Sequence, residues 1–371
     1  MKGRDRNELC WCGSGKKFKK CHRDRDRQPK EDPWAAAVAN RRAFAKKKCC
    51  ARDVGLGRCG GSVVKAHTVS RGANLTKISR NGHVLHYTAS IPEMKKNGGK
   101  LSVKKIGIGD ASVFHGFCSK HDRELFSCVE NEPFVGRPDQ CLAVAFRSIS
   151  RELYGKDAGA HLRETLRGAD KGMQPSEQIM LQKMLHDINT GNEAARREFK
   201  ATHDSLTTAL VENQPDAIRS LVFEFIAPLP FMFAGAWSPF VDFHGRDLQN
   251  GCSGELLEQI LVCSFAGDVN AMICISWQNT ESAPAKVIAE QIRTLPVDQQ
   301  ASACLQFAMK HVENVFFNPD WYQNLDGIQR EQLNRLAADG LDFMGSIPSA
   351  PIRLDLDFQL PTAKRSFQVQ P

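Results

Sequence analysis

The 371-residue chain has no run of about 18 apolar residues, the length that a membrane-spanning helix needs. Its amino terminus, MKGRDRNELC, is charged and is not followed by the apolar segment of a secretory signal. It also has no Walker loop, no dinucleotide-binding glycine fingerprint and no nucleophile elbow. These absences argue against a membrane span and against nucleotide hydrolysis or hydride transfer by a familiar motif. We therefore expect a cytoplasmic protein.

Acidic residues are scarce in the first third of the chain. Residues 1–125 contain 29 Lys and Arg against 11 Asp and Glu, a balance of +18. Residues 126–371 contain 21 against 31, a balance of −10. A block this basic favours a polyanionic partner, so we expect nucleic acid, either DNA or RNA, or the ribosome. The alternatives are a solvated basic tail and docking of the basic block onto the acidic part of the same chain.

Thirteen cysteines need an explanation in a reducing compartment, where disulfides are rare. Four of them have apolar neighbours and are predicted to be small buried hydrophobic residues: Cys252, Cys263, Cys274 and Cys304. Most of the others cluster in the first third of the chain together with histidines. That clustering indicates metal ligation.

The first cluster consists of Cys10 and Cys12, one residue apart, and the adjacent pair Cys21 and His22. Three thiolates and one imidazole are a typical ligand set of a structural zinc site. Gly13 permits the backbone reversal between the two pairs. A segment this short buries no core, so a metal must supply its folding free energy, on the order of 10 kcal/mol. We predict that Cys10, Cys12, Cys21 and His22 hold zinc.

Residues 7–24 resemble the SEC-C motif, which occurs at the carboxyl end of the SecA translocation ATPase and as an appended module in other bacterial proteins. The shared features are the Cys-x-Cys pair, the Gly-Ser-Gly-Lys-Lys turn, the aromatic Phe18 and the Cys-His pair. The resemblance implies a docking role, as for the SecB chaperone or the ribosome, and no catalysis. An acidic protein such as SecB is thus an alternative partner. The residues placed to contact it, or a phosphate backbone, are Lys16, Lys17, Lys19 and Lys20.

A second group comprises the neighbours Cys49 and Cys50, then Cys59 before two glycines, and later Cys118 and His121. The last two are three residues apart and would share one face of a helix. A cysteine knuckle followed by a helix-borne pair is typical of a treble-clef-like zinc site. Of the two neighbours we favour Cys50, so the predicted ligands are Cys50, Cys59, Cys118 and His121. The alternative is ordinary core cysteines with a helix-capping or surface histidine.

Between these halves, residues 65–75 (KAHTVSRGANL) resemble the HNH nuclease pattern, in which a strand ends in a histidine and an asparagine follows. The resemblance implies metal-assisted phosphodiester hydrolysis, for example in phage defence, with His67 as catalytic base. Ala66 stands where such enzymes usually carry a metal ligand. A zinc ligand or a buried hydrogen-bonding histidine is therefore the alternative for His67. The motifs at 67–70, 82–84 and 117–122 also resemble a family of uncharacterised bacterial proteins spanning residues 49–130, which implies no particular reaction.

Hydrophobic periodicity predicts a modular α+β fold with an antiparallel sheet in its carboxyl-terminal part. We expect strands within 218–278, helices within 284–339 with Phe316 on a helical face, and a further strand at 353–360. In the long helical region from residue 176 to 213, a break is expected at Gly191. The predicted modules are a SEC-C zinc knuckle (1–26), a linker helix (27–48), a basic treble-clef-like Cys/His module (49–136), a helical segment (137–215) and an α+β domain (216–371).

The acidic half of the chain contains no motif that indicates a reaction. The one polar cluster in it, Asp242, His244 and Asp247, is typical of a polar strand exit, and a metal site or an acid–base group is the alternative.

Overall fold

The computed structural model describes residues 6–52, 54–88, 101–160, 162–251, 253–280, 283–339 and 350–369. Within these ranges the helices are α1 (Pro33–Phe44), α2 (Thr76–Ile78), α3 (Ser119–Glu130), α4 (Pro138–Gly159), α5 (Leu162–Thr165), α6 (Pro175–Val211), α7 (Pro284–Thr294), α8 (Gln300–His311), α9 (Pro319–Asn324) and α10 (Gly327–Asp339). The strands are β1 (Ala66–His67), β2 (His83–Thr88), β3 (Ser102–Gly107), β4 (Val113–Phe114), β5 (Ile218–Phe225), β6 (Phe231–Trp237), β7 (Ile260–Ala266), β8 (Ala271–Gln278), β9 (Val315–Phe317) and β10 (Ala363–Val369). Mixed helices and antiparallel strands confirm the α+β class.

The main sheet joins eight of these strands, all in antiparallel pairs, in the order β10-β5-β8-β7-β6-β9-β2-β3. Its central strands come from the β-branched and aromatic runs at 218–278, as expected. The turn between β7 and β8 closes where Gly267 N donates to Asn270 O at 2.9 Å. β1 and β4 form a separate two-stranded ladder beside the sheet, with His67 opposite Val113.

The core lies on both faces of the sheet, which is why the central strands read as nearly continuous apolar runs. Alternate residues of β5 point to opposite faces. Val222 packs in the cluster that contains Phe146 of α4. Its neighbour Phe223 packs in the cluster that contains Ile288 of α7 and Leu305 of α8. Helix α4 is therefore enclosed between the sheet and α6, and it brings residues of the helical segment against the amino-terminal part of the chain.

Helix α6 runs unbroken for 37 residues, so the break expected at Gly191 does not occur. A glycine in a helix interior costs only about 1 kcal/mol relative to alanine. Packing of α6 against α4 offsets that cost, since Leu185, Phe199 and Leu206 of α6 are buried.

Two expectations about strands are wrong. Phe316 lies in β9 and not on a helical face, because α8 ends at His311 and the chain then joins the sheet. The strand of the carboxyl-terminal tail is β10 and not residues 353–360. β10 is an edge strand, and its Lys364 and Arg365 pair with Glu224 of β5. These two adjacent charged residues interrupt the alternation of apolar and polar residues from which a strand is predicted.

Residues of the segment 49–136 and of the segment 216–371 share the main sheet, because β9 connects β6 with β2. The module boundaries themselves stay a prediction. As expected, Cys263, Cys274 and Cys304 are buried, while Cys252 lies outside the described residues. Over the described ranges, no helix combines the length and the apolarity needed to cross a bilayer.

Candidate metal centres

The first centre is formed by Cys10, Cys12, Cys21 and His22, whose donor atoms all lie within 4.8 Å of one another. His22 Nδ1 is 3.2 Å from Cys10 Sγ and 3.3 Å from Cys21 Sγ, and Cys12 Sγ is 3.6 Å from Cys21 Sγ. All four side chains are buried. Three sulfurs and one nitrogen that converge in this way can hold one four-coordinate metal ion.

The backbone explains how two adjacent residues, Cys21 and His22, face the same point. Gly13 and Gly15 adopt φ angles of 70° and 68°, which turn the chain between the two ligand pairs. A 3-10 turn then starts at Phe18, whose carbonyl accepts the N–H groups of Cys21 at 3.0 Å and of His22 at 3.1 Å. Because both residues hang on this tight turn, their side chains converge instead of alternating.

The thiols of this centre differ in acidity. Burial raises the pKa of the Cys10 thiol to about 12. Burial also opposes ionisation of Cys12, but hydrogen bonds with Ser14, Cys10 and Cys21 outweigh it and lower the pKa to about 7. Thiolates are the form that binds metal, and packing three of them together without a cation is unfavourable. A divalent cation would remove that cost.

The imidazole of His22 has a partner outside the cluster. Its Nδ1 faces the sulfurs, so Nε2 carries the hydrogen and donates to Asp170 Oδ2 at 2.8 Å. Asp170 is fully buried, and it also accepts from Arg25 Nε at 2.5 Å and from Gln182 Nε2 at 2.8 Å. Burial works against its charge, but these hydrogen bonds prevail and hold the pKa of Asp170 below its usual value.

The second centre is formed by Cys49, Cys59, Cys118 and His121, whose donor atoms also lie within 4.8 Å of one another. His121 Nδ1 is 3.3 Å from Cys49 Sγ, 3.4 Å from Cys118 Sγ and 3.9 Å from Cys59 Sγ. His121 Nε2 donates to the carbonyl oxygen of Leu56 at 3.0 Å. This is again a donor set of three sulfurs and one nitrogen, with an oriented histidine.

The structure corrects one predicted ligand of this centre, because Cys49 and not Cys50 joins it. Cys50 turns away, and its Sγ lies 3.9 Å from the carbonyl oxygen of Ser150 on α4. Burial there raises the pKa of the Cys50 thiol to about 12. Cys49 Sγ accepts the N–H of Cys118 at 3.4 Å. Neighbouring residues face different sides of the chain, so packing against α4 decides between them.

A knuckle and a helix start position the second set of ligands. Gly61 has φ +71°, and a Cβ atom there would collide with Ser119 Oγ at the start of α3. Lys120 N donates to Gly60 O at 3.2 Å, and Ser119 N donates to Ser62 O at 2.9 Å. The loop after Cys59 therefore lies across the first turn of α3. The loop after Cys59, the short β1/β4 ladder and α3 follow one another along the chain, and the treble-clef-like classification stays a prediction.

His67 lies outside both clusters. Its Nε2 is buried and, within the described residues, has no hydrogen-bond partner, and burial lowers its pKa. In the same part of the chain, no group of three metal-ligating side chains includes it. Asn74 faces β7, where its amide donates to Ser264 O at 3.4 Å and accepts from Ala266 N at 3.0 Å. The predicted base and asparagine therefore do not meet at a metal-ligand group.

The cluster at residues 242–247 has the geometry of a polar strand exit. Asp242 Oδ1 accepts the backbone N–H groups of His244 at 2.8 Å and of Arg246 at 2.9 Å. Asp242 Oδ2 accepts from the Gln291 side chain at 2.9 Å and from the Arg246 side chain at 2.7 Å. These contacts hold the loop, while His244 and Asp247 are exposed.

The cations of the amino-terminal block fall into two groups. Several of its cations contact the acidic part of the chain: Lys48 with Asp157 at 3.0 Å, Arg80 with Asp320 at 3.5 Å, and Lys77 with Asp268. The four lysines around the first centre are exposed and, among the residues described, take part in no ion pair. Contacts with the acidic half thus account for part of the excess of Lys and Arg in residues 1–125. They do not involve the four lysines around the first centre.

Two clusters, each with three cysteines and one histidine and with every member except the half-buried Cys59 buried, define a protein that could hold two metal ions. Residues 6–24 match the model of the SEC-C motif, which covers all four ligands of the first centre. No curated protein and no solved structure matches the chain significantly. The motif accounts for 19 residues, so the second centre rests on its own geometry.

Proposed function

We propose that this is a zinc protein in which two structural centres shape a basic surface that binds nucleic acid. Zinc is the metal that suits three thiolates and one imidazole in a closed tetrahedral set. All four donors of each centre are protein side chains, so neither centre keeps a position for a catalytic water. The metals would then fix the fold of the amino-terminal region and leave binding to its surface.

The observation that carries the nucleic-acid proposal is the group of four exposed lysines around the first centre: Lys16, Lys17, Lys19 and Lys20. Further exposed cations lie at the end of α1 and just after it: Arg41, Arg42, Lys46 and Lys47. Lysine attracts phosphate as a point charge and does not read base edges in a fixed geometry. We infer backbone binding with little sequence preference.

This proposal is tested by the salt dependence of binding. Fluorescence anisotropy with a labelled single-stranded RNA and a labelled DNA duplex should show affinity that falls steeply as salt rises, because bound counterions are released. Replacing Lys16 and Lys17 by Ala should reduce the slope of log K against log salt by about 2, one for each phosphate that is no longer neutralised. The matched control removes two exposed cations of the acidic half, Lys286→Ala with Arg330→Ala, and should leave the slope unchanged. Absent or salt-insensitive binding contradicts the proposal.

Two other hypotheses remain predictions. A nuclease with His67 as base predicts nicking with Mg²⁺ or Mn²⁺ that His67→Ala abolishes, and equal activity in both proteins would remove it. An adaptor role predicts capture of SecB that chelation abolishes. We favour nucleic-acid binding over both because the exposed lysines offer charge without requiring either a reaction or one particular protein partner.

A further inference from the structure

We propose that Asp170 is the positioning residue of the first metal centre, and that it couples metal binding there to docking of the amino-terminal motif on helix α6. The inference rests on the proposed zinc occupancy of that centre and is independent of nucleic-acid binding. Asp170 lies 148 residues from His22, far beyond the residues that the SEC-C model covers.

The first step is the geometry of the carboxylate. Both oxygens of Asp170 are used: Oδ2 accepts from His22 and Gln182, and Oδ1 accepts from Arg25. The side chain is fully buried, so water does not compete for these contacts. A buried carboxylate is costly unless it is paired and hydrogen-bonded, and this one is. A carboxylate on the far nitrogen of a ligating histidine fixes its tautomer and ring orientation and raises its basicity toward the metal.

The second step is the contact between two segments around Asp170. Gly172 N donates to Arg25 O at 3.0 Å, and the Arg25 side chain also donates to the carbonyl oxygen of Arg167. Gln182 of α6 donates to the same carbonyl at 3.1 Å. A Cβ atom on Gly172 would lie 2.9 Å from Gln28 O, so the two backbones are in close approach. The amino-terminal motif therefore packs against the loop before α6 and against α6 itself.

These two steps make metal binding and docking one linked equilibrium. A metal held by the four donors would fix the His22 ring, and the fixed ring would present its Nε2–H to Asp170. Conversely, Asp170 holds the ring in the orientation that the metal needs. By linkage, each event favours the other by the same free energy. The second centre has no such charge, since its histidine donates to the neutral carbonyl of Leu56.

The test measures zinc transfer from the full-length chain to the chromogenic chelator 4-(2-pyridylazo)resorcinol. Cys12→Ser assigns the phase of the first centre. Removing such a partner typically weakens metal affinity about 10–100-fold, so Asp170→Ala should raise the release rate of that phase by a similar factor. The phase of the second centre should not change, which also shows that the variant is folded. Asp170→Asn keeps the shape without the charge and should fall between. The control Asp187→Ala removes an exposed carboxylate from α6 and should release zinc like the parent.

A second background separates positioning from simple docking. In His22→Cys the fourth ligand is a thiolate that needs no orientation by Asp170, while Arg25 and Gln182 keep their contacts. Adding Asp170→Ala to His22→Cys should then change zinc release by less than about 2-fold. An acceleration as large as in the parent, or equal release from parent and Asp170→Ala, overturns the inference. Elemental analysis of the parent comes first, because absence of zinc from the first centre would contradict the proposed zinc occupancy itself.

Discussion

The two centres use the same donors but stand in different surroundings. The first is built within residues 10–22, and the hydrophobic cluster around it consists of its own three cysteines and Phe18. The second gathers ligands from residues 49–121, and two of them, Cys49 and Cys118, belong to the large core cluster that contains Phe117 and Phe146. The first centre therefore depends on a metal for its folding. The second centre would add a metal cross-link to a core that apolar packing already assembles.

Because of this difference, loss of metal should have different consequences at the two centres. At the first centre nothing apolar replaces the metal, so its removal should unfold the motif and leave the sheet intact. At the second centre the core can hold the ligands near one another, but losing a ligand leaves polar groups in a packed interior. Loss of metal at the first centre should therefore unfold only the motif. Loss of metal at the second centre should lower the unfolding free energy of the whole chain.

Removing metal altogether gives the largest expected effect on the first centre, and there it should be confined to the motif. Binding free energy of about 10 kcal/mol or more is what folds a zinc module of this size. Hydrogen–deuterium exchange with and without chelator should show complete loss of protection over residues 6–24. Strands β5 to β8 should keep their protection apart from the loss that metal removal at the second centre causes over the whole chain. Retained protection of the motif in metal-free protein would show that docking on α6 alone folds it.

Replacing single ligands of the second centre should cost several kcal/mol over the whole chain. Cys118→Ser and Cys49→Ser each remove a buried ligand, and loss of a metal site typically costs about 4 kcal/mol or more of unfolding free energy. Elemental analysis should find one zinc per chain in place of two. The matched control is the neighbour Cys50→Ser, which should keep two zinc ions and lower the unfolding free energy by about 1 kcal/mol. The reverse pattern would restore Cys50 as the ligand.

Locality decides how much of these centres the sequence can predict. All four residues of the first centre follow from spacing, because a turn of a dozen residues leaves few ways to arrange them. For the second centre, the glycines after Cys59 and the helical spacing of Cys118 and His121 indicate three ligands. The choice between Cys49 and Cys50 depends on α4, which is about a hundred residues away. The residues next to Cys49 and Cys50 in the sequence do not indicate which of the two is the ligand.

Asp170 and the edge strands show the same limit. A partner for His22 is set by how α6 and the loop before it pack on the motif, and a lone aspartate in GADKG carries no pattern. β9 is three residues long, and β10 alternates poorly because its charges pair with Glu224. The central strands are predictable because burial on both faces leaves long apolar runs.

The smallest expected effect compares the two glycine turns. Gly15 of the first centre and Gly61 of the second both have positive φ, so alanine at either should cost about 1–2 kcal/mol in backbone strain. A Cβ on Gly15 meets nothing within 4 Å, whereas one on Gly61 collides with Ser119 Oγ. Gly61→Ala should therefore lower the unfolding free energy by a further ~1 kcal/mol, as measured by urea unfolding, because the exposed Ser119 hydroxyl must rotate away and give up its hydrogen bond to Gly60 O.

The collision itself can be tested by removing the atom that causes it. Adding Ser119→Gly to Gly61→Ala removes the hydroxyl and should recover the part of the loss that the collision causes, leaving only the backbone strain that Gly15→Ala also shows. Ser119→Gly alone is the control for the effect of glycine in the first turn of α3. If Gly15→Ala and Gly61→Ala were equally destabilising, the loop after Cys59 would not press on the first turn of α3, contrary to the close contact between Gly61 and Ser119.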